Sequence, residues 1–192
     1  MEGIRSFIAI EVPRLFQVRL GELQKEIKQA EADVRWVHPA NIHLTLKFLG
    51  TVNNEFLEKI TAILGPLIAE WKPFALRIRG LGCFPSMRNP RVLWVGIDQG
   101  KEEVISLQGA IEGRAAEAAF AKETRPFQPH LTLGRIQSPR RRDPLAQAVE
   151  NLKEAEVGIF RASEVFLFKS ELRPSGAVYT KLKTFPMNEP YE

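Results

Sequence analysis

The sequence predicts an α+β fold with two lobes, each a mainly antiparallel sheet with helices on its outer face, and a central cleft between them. Three observations lead there. Strand-like and helix-like periods alternate along the chain in two successive cycles, and hairpin-type connections outnumber parallel crossovers. The tetrapeptide His-Leu-Thr-Leu occurs once in each cycle, at 43–46 and at 130–133.

The chain opens with "SFIAIEV", a short β-rich apolar run, and Pro13 then starts "RLFQVRLGELQKEIKQAEA". Proline in the first turn of a helix leaves no hydrogen bond unmade. Leu15, Val18, Leu23 and Ile27 recur near three- and four-residue spacing and predict the apolar stripe of a surface helix. "VRWVHPANIHLTLKFLG" reads as extended, interrupted by Pro39 and closed by Gly50. "NNEFLEKITAILGPLIAEW" resumes helical spacing behind an asparagine cap. "FALRIRGLGCF" and "RVLWVGID" read as strands paired antiparallel through "PSMRNP".

The second cycle begins with "KEEVISLQGAIEGRAAEAAFAKE", helical by period, although Gly109 and Gly113 each weaken it by about 1 kcal/mol relative to Ala. "RPFQPHLTLGRI" is extended, and "SPRRRDPLAQAVENLKEAE" holds a basic loop and a shorter helix. "ASEVFLFKSEL" and "AVYTKLKTFPM" close the chain as strands joined by the turn "RPSG". The expected order is βαβαββ followed by αβαββ, one compact two-lobed unit over 1–192.

Bulk properties bound the function. The 192 residues suffice for a substantial core, and 44% hydrophobic with 26% charged residues is ordinary for a globular chain. The formal charge of +4 leans mildly toward anionic partners. One cysteine, Cys83, precludes an internal disulfide and reads as a small buried residue rather than a nucleophile. The start "MEGIRSFIAIEVP" has too short an apolar run for an export signal, and no stretch is long enough to span a membrane. A cytoplasmic monomer is expected.

In a strand, His43 and Thr45 share one face while Leu44 and Leu46 take the other, and His130 and Thr132 repeat the arrangement with Leu131 and Leu133. Two such strands across a cleft supply two imidazoles and two hydroxyls. That set suits displacement at phosphorus: one neutral imidazole accepts a proton from the nucleophile and an imidazolium gives one to the departing oxygen. The threonine hydroxyls donate to non-bridging phosphate oxygens, with Lys47 or Arg135 as basic neighbours.

A zinc site from His38, His43 and His130 lacks a His-Glu-x-x-His, a Cys pair and a nearby carboxylate, so no metal and no cofactor are expected. His38, before Pro39, reads as a turn residue. Arg140 to Arg142 could touch an RNA backbone or form a solvated loop. Trp36, Trp71 and Trp94 read as core.

With two H-x-T-x motifs, "HLTLKFLG" and "RPFQPHLTLGRI", and with "RSFIAIEVP", "GLGCFP", "PRVLWVG" and "LFKSELRPSGAVYTKL" elsewhere, the chain resembles the two-histidine phosphoesterases. Within them it is similar to the bacterial and archaeal RNA 2′,3′-cyclic phosphodiesterases, also called 2′-5′ RNA ligases. The resemblance implies pseudo-twofold lobes and metal-independent opening of an RNA 2′,3′-cyclic phosphate end, or of a nucleotide carrying one, to a 2′-phosphate. It implies His43 as proton donor to the leaving 3′ oxygen, His130 as acceptor from water, and Thr45 and Thr132 as phosphate holders. It also implies Phe48 as a base-stacking residue and Arg135 as a phosphate contact. Strict alternation puts those last two opposite their histidines, so each needs a strand end or a bulge. A 2′-5′ ligase, or an RNA-end binding module without turnover, is the alternative reading.

Overall fold

The computed structural model describes residues 3–174 and 176–189. Met1 and Glu2 of the start read for an export signal, and Ser175 of the "RPSG" turn, lie outside them. The elements run β1 (Ile4–Glu11), α1 (Arg14–Lys28), β2 (Val34–Trp36), a single 3-10 turn (Pro39–Asn41), β3 (His43–Val52), α2 (Asn54–Ala69), β4 (Phe74–Phe84) and β5 (Val92–Gln99). Then follow α3 (Lys101–Glu117), β6 (His130–Ile136), α4 (Arg142–Asn151), β7 (Glu156–Ala162), β8 (Glu164–Arg173) and β9 (Gly176–Pro186).

All strand pairings are antiparallel, in the order β7-β4-β5-β6-β3-β1-β8-β9, with β2 added on β6. The two expected sheets are β7-β4-β5-β6 and β3-β1-β8-β9, joined where Leu44 of β3 pairs with Leu131 of β6. That junction is the pseudo-twofold axis. The two halves of the chain interlock across it: β4, from the first cycle, pairs with β5 in the second lobe, and β8, from the second, pairs with β1 in the first.

One face of the sheet carries Ile8, Ile10, Leu44, Leu46, Leu131, Leu133, Leu93 and Val95 into a core shared with helix residues such as Leu20, Ile60, Leu107 and Leu145. The helices take up that face, which leaves the other for the cleft. A smaller cluster of Phe7, Ala9, Phe166 and Phe168 packs on the cleft side and floors the first lobe.

Most elements match their sequence patterns. The asparagine cap is Asn53, whose Oδ1 accepts from Phe56 N at 2.9 Å. Two strands are additional: β2 is separate from β3, and β7 escapes the sequence pattern, since Gly158 and the outward Ile159 interrupt its alternation. The stripe on α1 is rotated. Leu15 and Val18 are 59% and 54% exposed, and the buried face is Phe16, Leu20, Leu23, Gln24 and Ile27. In "RLFQVRLGELQKEI" the buried stripe Phe16, Leu20, Leu23 and Ile27 is the more continuously apolar one, and Gln24 within it donates to Val37 O and Leu133 O.

Candidate active site

The site is built on the junction of β3 and β6. Antiparallel pairing of Leu44 with Leu131 sets His43 across from Thr132 and Thr45 across from His130. All four project from the face opposite the leucines, so the axis runs through the middle of a His–Thr–His–Thr square.

Each histidine is held the same way. His43 Nδ1–H donates to the Asn41 carbonyl at 2.7 Å, and His130 Nδ1–H donates to the Gln128 carbonyl at 2.7 Å. A carbonyl only accepts, so Nδ1 carries the proton in both and Nε2 faces outward as the working atom. Asn41 also donates from Nδ2 to Ala177 O at 2.7 Å, which ties the His43 holder to the start of β9.

The surroundings differ. His43 stacks on Phe7 at 4.6 Å and 23°, with Tyr179 edge-on at 5.2 Å. His130 meets Phe84 edge-on at 4.9 Å, and Phe84 packs on Trp94. Burial is the main influence on both and pushes each imidazole below the ordinary histidine pKa of 6.5. The hydrogen bond to a backbone carbonyl opposes burial in each case, and at His130 the Arg135 charge adds to the lowering.

Alternation fails in both motifs at the same place, which settles where Phe48 and Arg135 point. In β3 the register on β1 skips Leu46, so Leu46 and Lys47 are both buried and Phe48 returns to the cleft, 65% exposed at its rim. In β6 the register on β5 skips Leu133, Leu133 and Gly134 are both buried, and Arg135 returns to the cleft. Each is a β-bulge. The second is held by Gln24 of α1, 1% exposed, whose Nε2 donates to Leu133 O at 2.9 Å and Val37 O at 2.7 Å. Gly134 is required there, because a Cβ would come within 2.5 Å of Val34 Cγ1 on β2.

Lys47 does not join the site. The bulge turns it inward, where Nζ donates at 2.9 Å to both carboxylate oxygens of Glu112 and to Ala121 O. Within the basic run, Arg141 donates to Ala30 O and Glu31, and Arg142 to Arg88 O. Burial pushes the Cys83 thiol up to about 11, unfit for a nucleophile.

The cleft, about 610 Å³, is walled by His43, Thr45, Thr132, Phe48, Arg135 and Tyr179, with β2 along one side. His130 is not part of that wall; it starts β6, two residues before Thr132, with its ring against Phe84. Arg5, Arg35 and Arg135 all line it, and no Asp or Glu does among the described residues. Trp36 lines it too while packing, partly buried, against the core, and His38 sits on its edge with Nδ1 accepting from Ala40 N. Sequence alone does not single out Phe7, Arg35, Asn41 and Tyr179. No local pattern marks them, because they reach the cleft through β1, β2, the 3-10 turn and β9 rather than through the motifs.

No helix among the described residues is long and apolar enough to cross a membrane. Known proteins share this architecture. A curated relative from Methanothermobacter thermautotrophicus, named RNA 2′,3′-cyclic phosphodiesterase, is 37% identical over 182 residues, 95% of this chain and 98% of its own. Another of that name from Aeropyrum pernix is 32% identical over 85% of this chain and 92% of its own. A crystal structure from Thermus thermophilus superposes with a TM-score of 0.80 at 28% identity, covering 97% of this chain and all (100%) of its own. Escherichia coli LigT complexed with 3′-AMP gives 0.78 at 26% identity, covering 97% and 99%. The family pattern described as LigT like Phosphoesterase matches twice, over residues 10–94 and 95–179, once for each His-Leu-Thr-Leu, and on that double match the chain belongs to the LigT-like phosphoesterase family.

Proposed function

We propose that this chain opens 2′,3′-cyclic phosphates at RNA 3′ ends, leaving a 2′-phosphate and a free 3′ hydroxyl, by acid–base catalysis between His130 and His43. The observation that carries the reading is the pairing of Leu44 with Leu131, which sets His43 and Thr45 across from Thr132 and His130 on one face, beside a cleft lined by arginines and by no described carboxylate. The name carried by relatives 37% and 32% identical supports the substrate class.

In the proposed reaction a water oxygen attacks phosphorus while His130 Nε2 takes its proton. The phosphorus–O3′ bond breaks, and protonated His43 Nε2 gives its proton to O3′. Thr45 and Thr132 donate hydrogen bonds to the non-bridging oxygens as their charge grows. The direction rests on the surroundings: the Arg135 charge disfavours a proton on His130, which suits a base, whereas the stacked Phe7 ring offers its π face to an imidazolium at His43. The square itself supplies every proton transfer, and no three His, Cys, Asp or Glu gather as a metal-holding group among the described residues. The reaction as proposed uses no metal. A 5′ hydroxyl in place of water gives a 2′-5′ linkage with the same groups.

The test is hydrolysis of an oligonucleotide ending in a 2′,3′-cyclic phosphate, in excess chelator, with analysis of the product end. His43→Ala and His130→Ala are each expected to lose about 10²–10⁴-fold in kcat. Full activity in either variant, or none in the unmodified chain with chelator, overturns the mechanism.

A further inference from the structure

The two histidines share a tether but not what secures it. His43 Nδ1–H donates to Asn41 O and His130 Nδ1–H to Gln128 O, each at 2.7 Å and each two residues back along the chain. Gln128 is exposed and donates no hydrogen bond among the described residues, so no bond of its own fixes the carbonyl it offers. Asn41 is half-buried and engaged twice. Its N–H donates to His38 O at 2.8 Å, within the 3-10 turn, and its Nδ2 donates to Ala177 O at 2.7 Å, 136 residues away.

Ala177 belongs to a wall of the cleft. It lies opposite Leu172 in the β8–β9 hairpin, and Leu172, Ala177, Val178 and Tyr179 all line the cleft. Tyr179 also meets the His43 ring edge-on at 5.2 Å, so the hairpin touches both the imidazole and the residue that tethers it. β9 is the sheet's edge, paired with β8 alone, and an edge strand has one side without ladder partners. At this end of β9 the Asn41 amide supplies the fixed point.

We infer that Asn41 is a positioning residue for the acid of the proposed reaction: its side-chain amide fixes the tethering carbonyl to the β8–β9 hairpin, so that His43 and this wall of the cleft keep one geometry. This rests on the function proposed above. A nucleoside against that wall presents O3′ at a constant distance from Nε2, whereas a loose carbonyl lets the imidazole turn out of the line that proton transfer needs. Burial lowers the His43 pKa, and the bond to Asn41 opposes it, so loosening the tether lowers it further. The titratable neighbours of His43 are Tyr179 and its register partner Glu11, which Lys181 of β9 engages at 2.7 Å. Phe7, Phe168 and Thr132 complete its surroundings, and none is charged.

The experiment pairs Asn41→Ala with Asn53→Ala, which deletes a side-chain-to-backbone bond of the same kind at the start of α2, outside the cleft. With adenosine 2′,3′-cyclic phosphate as substrate, Asn41→Ala should lower kcat about 10- to 100-fold and leave KM within about threefold. Its kcat/KM profile should lose the alkaline limb at lower pH, where the acid gives up its proton, while the acid limb set by His130 stays in place. Asn53→Ala should keep kcat and both limbs, although it too loses a bond that supports the fold. In the unmodified chain, the side-chain amide protons of Asn41 should exchange with deuterium at least about tenfold more slowly than those of Gln128, read by NMR. Unchanged kcat or an unmoved alkaline limb in Asn41→Ala overturns the inference, as does an equal loss of kcat in Asn53→Ala, which would reduce the effect to general destabilisation. Equal exchange of the two amides overturns it without any variant, so the question is answered even if Asn41→Ala folds poorly. No opening of the cyclic phosphate by the unmodified chain overturns the proposed function instead, and the exchange measurement still decides whether the amide is held.

Discussion

Replacing Lys47 by Met separates a structural lysine from a phosphate-binding one. The ammonium is 3% exposed and makes three contacts of 2.9 Å, two to Glu112 and one to Ala121 O. Methionine fills similar volume but leaves the Glu112 carboxylate, 15% exposed, with only Gln108 Nε2 at 3.3 Å and Glu123 N at 3.4 Å. Removing one partner of a buried pair costs about 3–5 kcal/mol. For a chain of this size each kcal/mol lowers the melting temperature by about 2–4 °C, so the drop is roughly 6–20 °C. Removing both charges in Lys47→Met/Glu112→Leu should restore most of it, because two matched apolar groups replace a costly desolvated pair. The assays are thermal unfolding and cyclic-phosphate hydrolysis below the onset of unfolding, with kcat/KM expected within about threefold of the unmodified chain. An unchanged melting temperature with activity down tenfold or more would refute the reasoning, since it would mean that the ammonium faces the substrate.

The pH–rate profile should be bell-shaped, with the kcat/KM optimum displaced toward acid because burial lowers both histidines below 6.5 in the free enzyme. The kcat profile should sit at higher pH, since a bound phosphate anion favours the imidazolium; coincident profiles count against a phosphate held between them. Stability follows the same signs: a histidine with a lowered folded pKa stabilises fully above 6.5, and that contribution fades as pH falls from 6.5 through its folded value. The His43→Asn/His130→Asn protein should therefore lose less stability than the unmodified chain between about pH 6.5 and 5, measured by urea midpoint. Gln24→Met leaves Leu133 O and Val37 O without a donor and should cost about 1–3 kcal/mol, read from the same midpoint. Phe48→Ala should raise KM for an oligonucleotide about 5- to 150-fold, one lost stacking contact of 1–3 kcal/mol, and leave the melting temperature within about 2 °C.

Much of the fold was legible because its signals are local. Hydrophobic period, caps and loop residues placed all but two short strands, and the His-x-Thr spacing put each pair on one face without knowledge of the partner strand. What stayed hidden is what long-range pairing decides. Lys47 stands two residues after Thr45 and Arg135 three after Thr132, so strict alternation puts Lys47 in the cleft and Arg135 in the core, and the bulge in each strand reverses both. A bulge depends on which β5 or β1 residue lies across, and that register is absent from the tetrapeptide. Gly134 was the exception: a glycine in a core strand signals close approach, and β2 is what approaches. Arg35 gave no such sign, because a three-residue strand has too few positions to show a period.

The proposed reaction is asymmetric, yet the square is nearly symmetric, so the asymmetry has to come from outside it. Both histidines have the same carbonyl tether, the same opposite threonine and the same direction of pKa shift, and by themselves either serves as acid. The first lobe surrounds its histidine with Phe7, Phe168 and Tyr179 and puts Phe48 on the rim. The second puts Arg135 near its histidine and receives β2 with Arg35. Aromatic rings on one side suit a nucleoside, and paired guanidiniums on the other suit its phosphate. In the proposed reaction the ribose lies toward His43 and the open side of phosphorus toward His130, so the two surroundings, which differ where the tethers do not, decide which imidazole is acid and which is base. Changing one environment is the sharper check: Arg135→Ala should move the acid-side limb of the kcat/KM profile, where the base loses its proton as pH rises, upward toward the ordinary histidine value, because a charge that lowers His130 is gone. A limb that does not move means that Arg135 influences binding alone and leaves the base untouched.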